Sequence, residues 1–221
     1  MNPKQIIGEK ATEYIKNGMI IGLGSGSTAY FATKKIGQLV RNGLDIKGVP
    51  TSRNTEKLAL EEKIPLIKIA EADHIDLTID GADEFDPAKN VIKGGGGALL
   101  REKIVASLTD FYIIIADSSK SSKVLGSFPV PVEVTPFAWE VTRRQLEKLG
   151  CPVKVRMESG QPFVTDNQNY ILDCFFEQIE QPEKLAIAIN HIPGVVENGL
   201  FLNMASILIT TDEKGEIRII G

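Results

Sequence analysis

The strongest constraint on this chain is a repeating order of segments. A short apolar or β-branched run ends in a loop of small or charged residues, and a helical stretch follows. Met19-Ile20-Ile21-Gly22-Leu23 leads into Gly24-Ser25-Gly26-Ser27-Thr28, then a helical stretch from about Ala29 to Val40. Ile46 to Val49 precedes a candidate helix from Ser52 to Glu62, and Ile64 to Ile69 reads as a further strand. Ile75 to Ile79 ends at Asp80-Gly81, Ala98 to Ser107 reads as a helix, and Phe111 to Ala116 is the most β-like run. Strands alternating with helices predict a parallel sheet with right-handed crossovers. An opening helix carries Ile6, Ile7, Ala11, Tyr14 and Ile15 on one face and stops at Asn17-Gly18.

After Leu125 the pattern changes. Pro129-Val130-Pro131-Val132-Glu133-Val134 reads as a strand that its prolines confine to an edge or an entry. A helix from about Ala138 to Leu149, strands near Pro152 to Arg156 and Tyr170 to Phe176, a helix from Pro182 to Asn190 and a strand at Gly194 to Leu200 follow. That β-α-β-β-α-β order is the order of a small ferredoxin-like unit. A closing hairpin, Ser206 to Thr210 and Glu216 to Ile220 with a turn at Asp212 to Gly215, is expected to rejoin the first sheet. The predicted fold class is α/β: a mainly parallel, Rossmann-like sheet with helices on both faces, plus a smaller inserted α+β domain. Its expected boundaries are residues 1–125 and 203–221 for the main domain and 126–202 for the smaller one.

At 221 residues and 43% hydrophobic composition, the chain can bury a sizeable core in one or two domains. A net charge of -4 excludes whole-chain attraction to nucleic acid, so anion binding requires a local site. Cys151 and Cys174 lack metal-ligand spacing and read as free thiols of a reducing compartment. The first residues lack a signal-peptide apolar run, and no apolar stretch reaches the ~20 residues of a membrane span. A cytoplasmic location is expected. There is no internal repeat.

Four segments following predicted strands could carry chemistry. In Gly24–Thr28, glycines admit close backbone approach, a helix N-terminus offers unpaired N–H groups, and three hydroxyls add donors. That suits a phosphate or carboxylate; a capped strand-to-helix turn is the alternative. Nucleotide fingerprints fit poorly, because no lysine precedes the hydroxyls and Ser27 stands where a third glycine would be. Thr51-Ser52-Arg53-Asn54 replaces the ribose-binding acid, although Ser52 and Arg53 could join an anion site. Asp80-Gly81-Ala82-Asp83-Glu84 crowds three carboxylates, and one turn could aim Asp80 and Asp83 into a single cleft. An acidic surface turn is the alternative, and a metal site is disfavoured. Lys93 and Gly94-Gly95-Gly96-Gly97 precede a helix bearing Glu102, pairing a cation and a carboxylate with an entropically costly glycine run. In Ala116-Asp117-Ser118-Ser119-Lys120, the lysine could neutralise a phosphate. His74 and His191 read as structural or surface residues; Phe137, Trp139, Phe175 and Phe176 read as core or domain-interface residues.

All four segments fall at strand ends, where open α/β sheets place ligand sites. Anion donors, two lysines and several carboxylates suit proton transfer in a phosphorylated, hydroxyl-rich substrate.

The ordered motifs GSGST, DGADE, KGGGGAL-REK, ADSSK, FPVPVEV and IPGVVENGLF resemble those of the A-type ribose-5-phosphate isomerases over nearly the whole chain. Departures are minor, such as serine at Ser25 for a frequent threonine. The resemblance implies interconversion of ribose 5-phosphate and ribulose 5-phosphate, with Glu102 as the base acting through an enediolate. It implies Asp80 in ring opening, Lys93 as stabiliser of the enediolate oxygen, and Asp83 with the Gly94–Gly96 backbone positioning the sugar. Ser25, Gly26, Ser27, Thr28 and Lys120 would hold substrate mainly at the phosphate, with Gly81 and Ala82 also lining it. No cofactor or metal is implied, and a homo-oligomer, a dimer first, is. Two rivals are a sugar-phosphate sensor without a base and an acyl or CoA transferase with Glu102 as nucleophile.

Overall fold

Five parallel strands and one antiparallel edge strand frame the first unit of this computed structural model, which describes residues 2–212 and 215–221. Their spatial order is Ile217–Ile220, Ile207–Thr211, Thr109–Ile115, Ile75–Gly81, Ile20–Leu23, Lys47–Pro50. Ile21 aligns with Leu77, and Ile79 with Ile113, so β-branched and leucine side chains stack across the sheet. Helices Pro3–Ala11, Ser27–Arg41 and Arg53–Glu61 bring Ile7, Ala11, Ala32, Ile36 and Ala59 onto this apolar surface. Burying one such isoleucine contributes about 1.5–3 kcal/mol. The unit comprises Met1–Ala82, Arg101–Ser121 and Met204–Gly221.

The closing hairpin does rejoin this sheet: Ile207–Thr211 runs parallel to Thr109–Ile115 and antiparallel to Ile217–Ile220. Its expected turn includes Glu213 and Lys214, which lie outside the described residues. The expected strand Ile64 to Ile69 is reduced to a single bridge from Leu66 to Gly48. Gly48 N–H donates to the Pro65 carbonyl at 2.7 Å, and the Gly48 carbonyl accepts from Ile67 N–H at 3.0 Å. Pro65 has no N–H for a ladder, and a 3-10 turn, Ile69–Glu71, ends the pairing.

Helix Ser27–Arg41 is tied to the segment after helix Arg53–Glu61 through one carboxylate. Buried Glu62 accepts from Lys34 Nζ at 2.5 Å and Arg41 Nη1 at 2.7 Å. These two donors, Lys34 first, hold the Glu62 carboxyl below its usual range. A depressed carboxyl pKa stabilises the fold above the unfolded value of about 4.3, and that contribution disappears as pH falls through the lower native value. Glu62→Gln is therefore expected to lower Tm by a few degrees at pH 7, with the gap closing below about pH 4. Thermal melts across pH 3–7 check this, and a gap constant with pH would contradict it.

The second unit comprises Asp83–Leu100 and Ser122–Asn203. Its four-stranded sheet is antiparallel, in the order Val195–Asn198, Val130–Val134, Tyr170–Cys174, Val153–Val155. Helix Trp139–Glu147 connects Val130–Val134 to Val153–Val155, and helix Pro182–Asn190 connects Tyr170–Cys174 to Val195–Asn198. Its core gathers Val130, Val132, Val134, Leu146, Leu172 and Ile189. Cys151 and Cys174 are free and buried.

Two expectations need correction. Segment Asp83–Leu100, expected in the main domain, groups with the second unit because its pairings are there. Val91 and Ile92 pair with Phe201 and Leu200, and the Glu84 carboxylate accepts the Gly126, Ser127 and Phe128 amides at 2.9–3.1 Å. The strand Val130–Val134 is also interior, with neighbours on both sides, despite Pro131. Gly199 N–H donates to the Pro131 carbonyl at 2.8 Å, while the Gly199 carbonyl accepts from Lys93 N–H at 2.9 Å. In a regular antiparallel pair the residue at 131 would donate to that Gly199 carbonyl. Proline has no N–H to give, and Lys93 takes the acceptor.

Candidate active site

In the first unit, carboxylates and hydroxyls collect at the carboxyl ends of the parallel strands. Asp80 is the sixth residue of Ile75–Gly81 and is fully buried. Its Oδ1 accepts from the Ser25 and Gly81 amides at 3.0 and 2.8 Å, and Oδ2 accepts from the Tyr112 hydroxyl at 3.3 Å. The Ser25 bond docks the small-residue loop against this strand. The fit requires glycine before it: a Cβ on Gly24 would lie 2.3 Å from Asp80 Oδ1 and 2.5 Å from Asp80 Cα. Glu102 lies in the first turn of helix Leu99–Ser107 and is only 5% exposed. Buried carboxylates are costly to the fold and cluster at sites where ionisation does chemistry.

Tyr112 is fully enclosed beside Asp80. Its phenol ionises far above the usual range, because of burial first and then the negative charges of Asp80 and Glu102. It therefore remains an O–H donor throughout the physiological range.

Gly26 precedes helix Ser27–Arg41, so Ser27 and Thr28 occupy its first turn. Ser27 Oγ accepts from Lys4 Nζ at 2.9 Å, which brings a cation from the opening helix to this N-terminus. A helix N-terminus with an added ammonium and hydroxyls is a site for an anion. The Ser25 hydroxyl is engaged underneath, 2.8 Å from both Thr51 Oγ1 and Ser52 Oγ and 3.1 Å from Thr55 Oγ1. Ser52 also caps helix Arg53–Glu61. After strand Thr109–Ile115, Asp117 accepts from the Ser119 N–H and hydroxyl, shaping the 3-10 turn Ser118–Lys120 that carries Lys120. The structure thus brings Ser25–Thr28, Asp80–Ala82, Glu102 and Lys120 into the first unit.

Asp83, Lys93 and Gly94–Gly96 belong to the second. Lys93 is 2% exposed, its Nζ 5.6 Å from the Phe201 ring centroid, a cation–π arrangement. Its backbone is locked through Gly199, where a Cβ would come within 2.3 Å of the Lys93 carbonyl. Asp83 Oδ2 accepts the Gly95 N–H at 2.7 Å, tying the acidic turn to the glycine run.

Sequence reasoning missed Lys4 and Tyr112, and it gave Pro131 and Gly199 no part in anchoring Lys93. Lys4 is one unremarkable lysine in an opening helix and carries no signal. Tyr112 did carry one, as a lone hydroxyl in an isoleucine-rich strand. His74 is exposed and 3.5 Å from Asp76, and His191 caps helix Pro182–Asn190. Trp139 packs edge-on against Tyr170, but Phe137, expected in a core or interface, is 89% exposed. Among the described residues, no group of three or more His, Cys, Asp or Glu side chains could hold a metal ion. Nor is any described helix long and apolar enough to cross a membrane.

The profile of the family "Ribose 5-phosphate isomerase A (phosphoriboisomerase A)" matches residues 47–215. A ribose-5-phosphate isomerase A of Bacillus mycoides is 50% identical over 216 residues, covering 97% of this chain and 98% of its own length. One from Gloeobacter violaceus is 51% identical over 214 residues, covering 96% and 93%. The solved ribose 5-phosphate isomerase of Plasmodium falciparum superimposes with a TM-score of 0.96 at 39% identity, covering 99% of this chain and 97% of that one. A solved D-ribose-5-phosphate isomerase in complex with phospho-erythronic acid has a TM-score of 0.96 at 38% identity, covering 99% of both chains.

Proposed function

This chain belongs to the ribose 5-phosphate isomerase A family, and from that premise we propose that it interconverts ribose 5-phosphate and ribulose 5-phosphate through an enediolate, a step of the non-oxidative pentose phosphate pathway. Asp80 assists opening of the sugar ring and moves protons at its oxygens. Glu102 takes the proton from C2 of the open aldose and returns it to C1. Lys93 stabilises the negative charge that develops on the enediolate oxygen, as in an oxyanion site. Asp83 and the Gly94–Gly96 backbone orient the sugar. Ser25, Gly26, Ser27, Thr28 and Lys120, with Lys4 added by its contact to Ser27, hold the phosphate. The reaction uses no metal and no organic cofactor. The enzyme is cytoplasmic and works as a homo-oligomer, a dimer first, without nucleic-acid or membrane partners. Its second unit is a ferredoxin-like module.

The observation that carries this reading is that Asp80 and Glu102 are both buried in the unit that also bears the small-residue loop, with the Tyr112 hydroxyl donating to Asp80 at a strand end. Two buried carboxylates suit proton transfer and ring opening, and a sensor needs neither. A solved relative's complex with phospho-erythronic acid, a phosphorylated sugar acid, supports the substrate class. Side-by-side assays of ribose 5-phosphate and ribose test the phosphate assignment. Loss of the phosphate is expected to reduce kcat/KM by at least ~100-fold, since binding energy from the non-reacting end positions the reacting centre. Equal turnover of both sugars would remove the phosphate role from Gly24–Thr28.

A further inference from the structure

The carbonyls of Gly94 and Gly95 converge on one guanidinium. Arg156 Nη1 donates to Gly94 O at 2.7 Å and to Gly95 O at 2.9 Å. The other side of the same guanidinium grips Asp173, Nε to Oδ2 at 3.0 Å and Nη2 to Oδ1 at 2.5 Å. Both side chains are 16% exposed. The clamp is mounted on sheet. Asp173 lies on Tyr170–Cys174 opposite Lys154, and Arg156, directly after Val153–Val155, donates its own N–H to Ile171 O at 2.8 Å.

A trans peptide is planar, with its C=O and N–H on opposite sides, so holding one carbonyl aims the next amide. The Gly94–Gly95 peptide is held from both sides, its oxygen by Arg156 and its N–H by Asp83 at 2.7 Å. In the Gly95–Gly96 peptide the oxygen is on Arg156, which turns the Gly96 N–H away from the guanidinium, at an exposed residue. Glycine peptides turn over readily when nothing holds them. A flipped peptide would present a carbonyl, an acceptor, where an oxygen-rich anion needs a donor.

We propose that Arg156, braced by Asp173, is a positioning residue that fixes the polarity of the glycine loop so that its amide edge meets the sugar oxygens. The catalytic consequence rests on the isomerase reading above; the loop's conformation does not. A lysine cannot substitute, because the role needs a planar fork with four N–H donors aimed in fixed directions.

The test uses full-length Arg156→Met and Arg156→Lys, with two readouts: amide hydrogen exchange at residues 93–98 in the ligand-free protein, and steady-state kinetics with ribose 5-phosphate. In both variants exchange at Gly95, whose N–H is held by Asp83, is expected to speed up. kcat/KM should fall by ~10–100-fold, mainly through KM, with Tm within a few degrees of wild type. Unchanged exchange, or lost Tm with wild-type KM in the folded fraction, would overturn the proposal. If the arginine variants do not fold, Asp173→Asn, which keeps the brace's shape and removes its charge, is read the same way: faster exchange supports the clamp and unchanged exchange overturns it. A wild-type protein inactive on ribose 5-phosphate would instead count against the isomerase reading, leaving exchange to decide the clamp.

Discussion

Replacing Glu102 with glutamine is expected to lower kcat for ribose 5-phosphate by about 10²–10⁴-fold, the usual worth of a general base. The amide matches the carboxylate in shape and still forms hydrogen bonds, but it cannot accept the C2 proton. Binding should therefore survive, and the dissociation constant of a competitive phosphorylated sugar acid should stay within a few-fold of wild type. Because Glu102 is 5% exposed, a neutral isostere also relieves a buried charge, so Tm should hold or rise. Kinetics, calorimetric titration and a thermal melt on one preparation separate these effects. Near-wild-type kcat would remove Glu102 from the role of base.

Lys93→Met is the second large effect. The ammonium's one proposed task is to stabilise charge that appears only as the enediolate forms. Removing one such preorganised donor costs about 10²–10³ in kcat with little change in KM. Methionine keeps the length and apolar stem of a side chain that is 2% exposed and lies against Phe201. The backbone anchor to Gly199 is untouched by the substitution, so a folded protein is expected. A variant that lost KM while keeping kcat would show Lys93 to be a binding residue and would require another group to stabilise the enediolate oxygen.

Legibility of the chain followed how local each determinant is. Strands such as Ile75–Gly81 and Thr109–Ile115 were readable because burial inside a parallel sheet demands continuous β-branched runs. The loops at their ends were readable because glycine runs and crowded carboxylates have few other uses. What escaped depends on pairing between distant segments. Pro131 looked like an edge signal, and only the competing demand of Lys93 on the Gly199 carbonyl explains its place in an interior strand. Asp83–Leu100 looked continuous with the main domain, yet Glu84 and Ile92 find their partners more than thirty residues away. Tyr112 and Lys4 enter the site by side-chain geometry alone, through Asp80 and Ser27. Arg156, at the end of a short strand, carried no motif at all.

The most direct measurement is proton NMR of ribose 5-phosphate incubated with the protein in D2O containing EDTA. Ribulose 5-phosphate is expected to appear with solvent deuterium in the carbon-bound position, because Glu102 shares its proton with water while the enediolate exists. Absence of conversion under these conditions would contradict the isomerase assignment, and conversion with no deuterium incorporated at any stage would contradict proton transfer through an exchanging carboxylate.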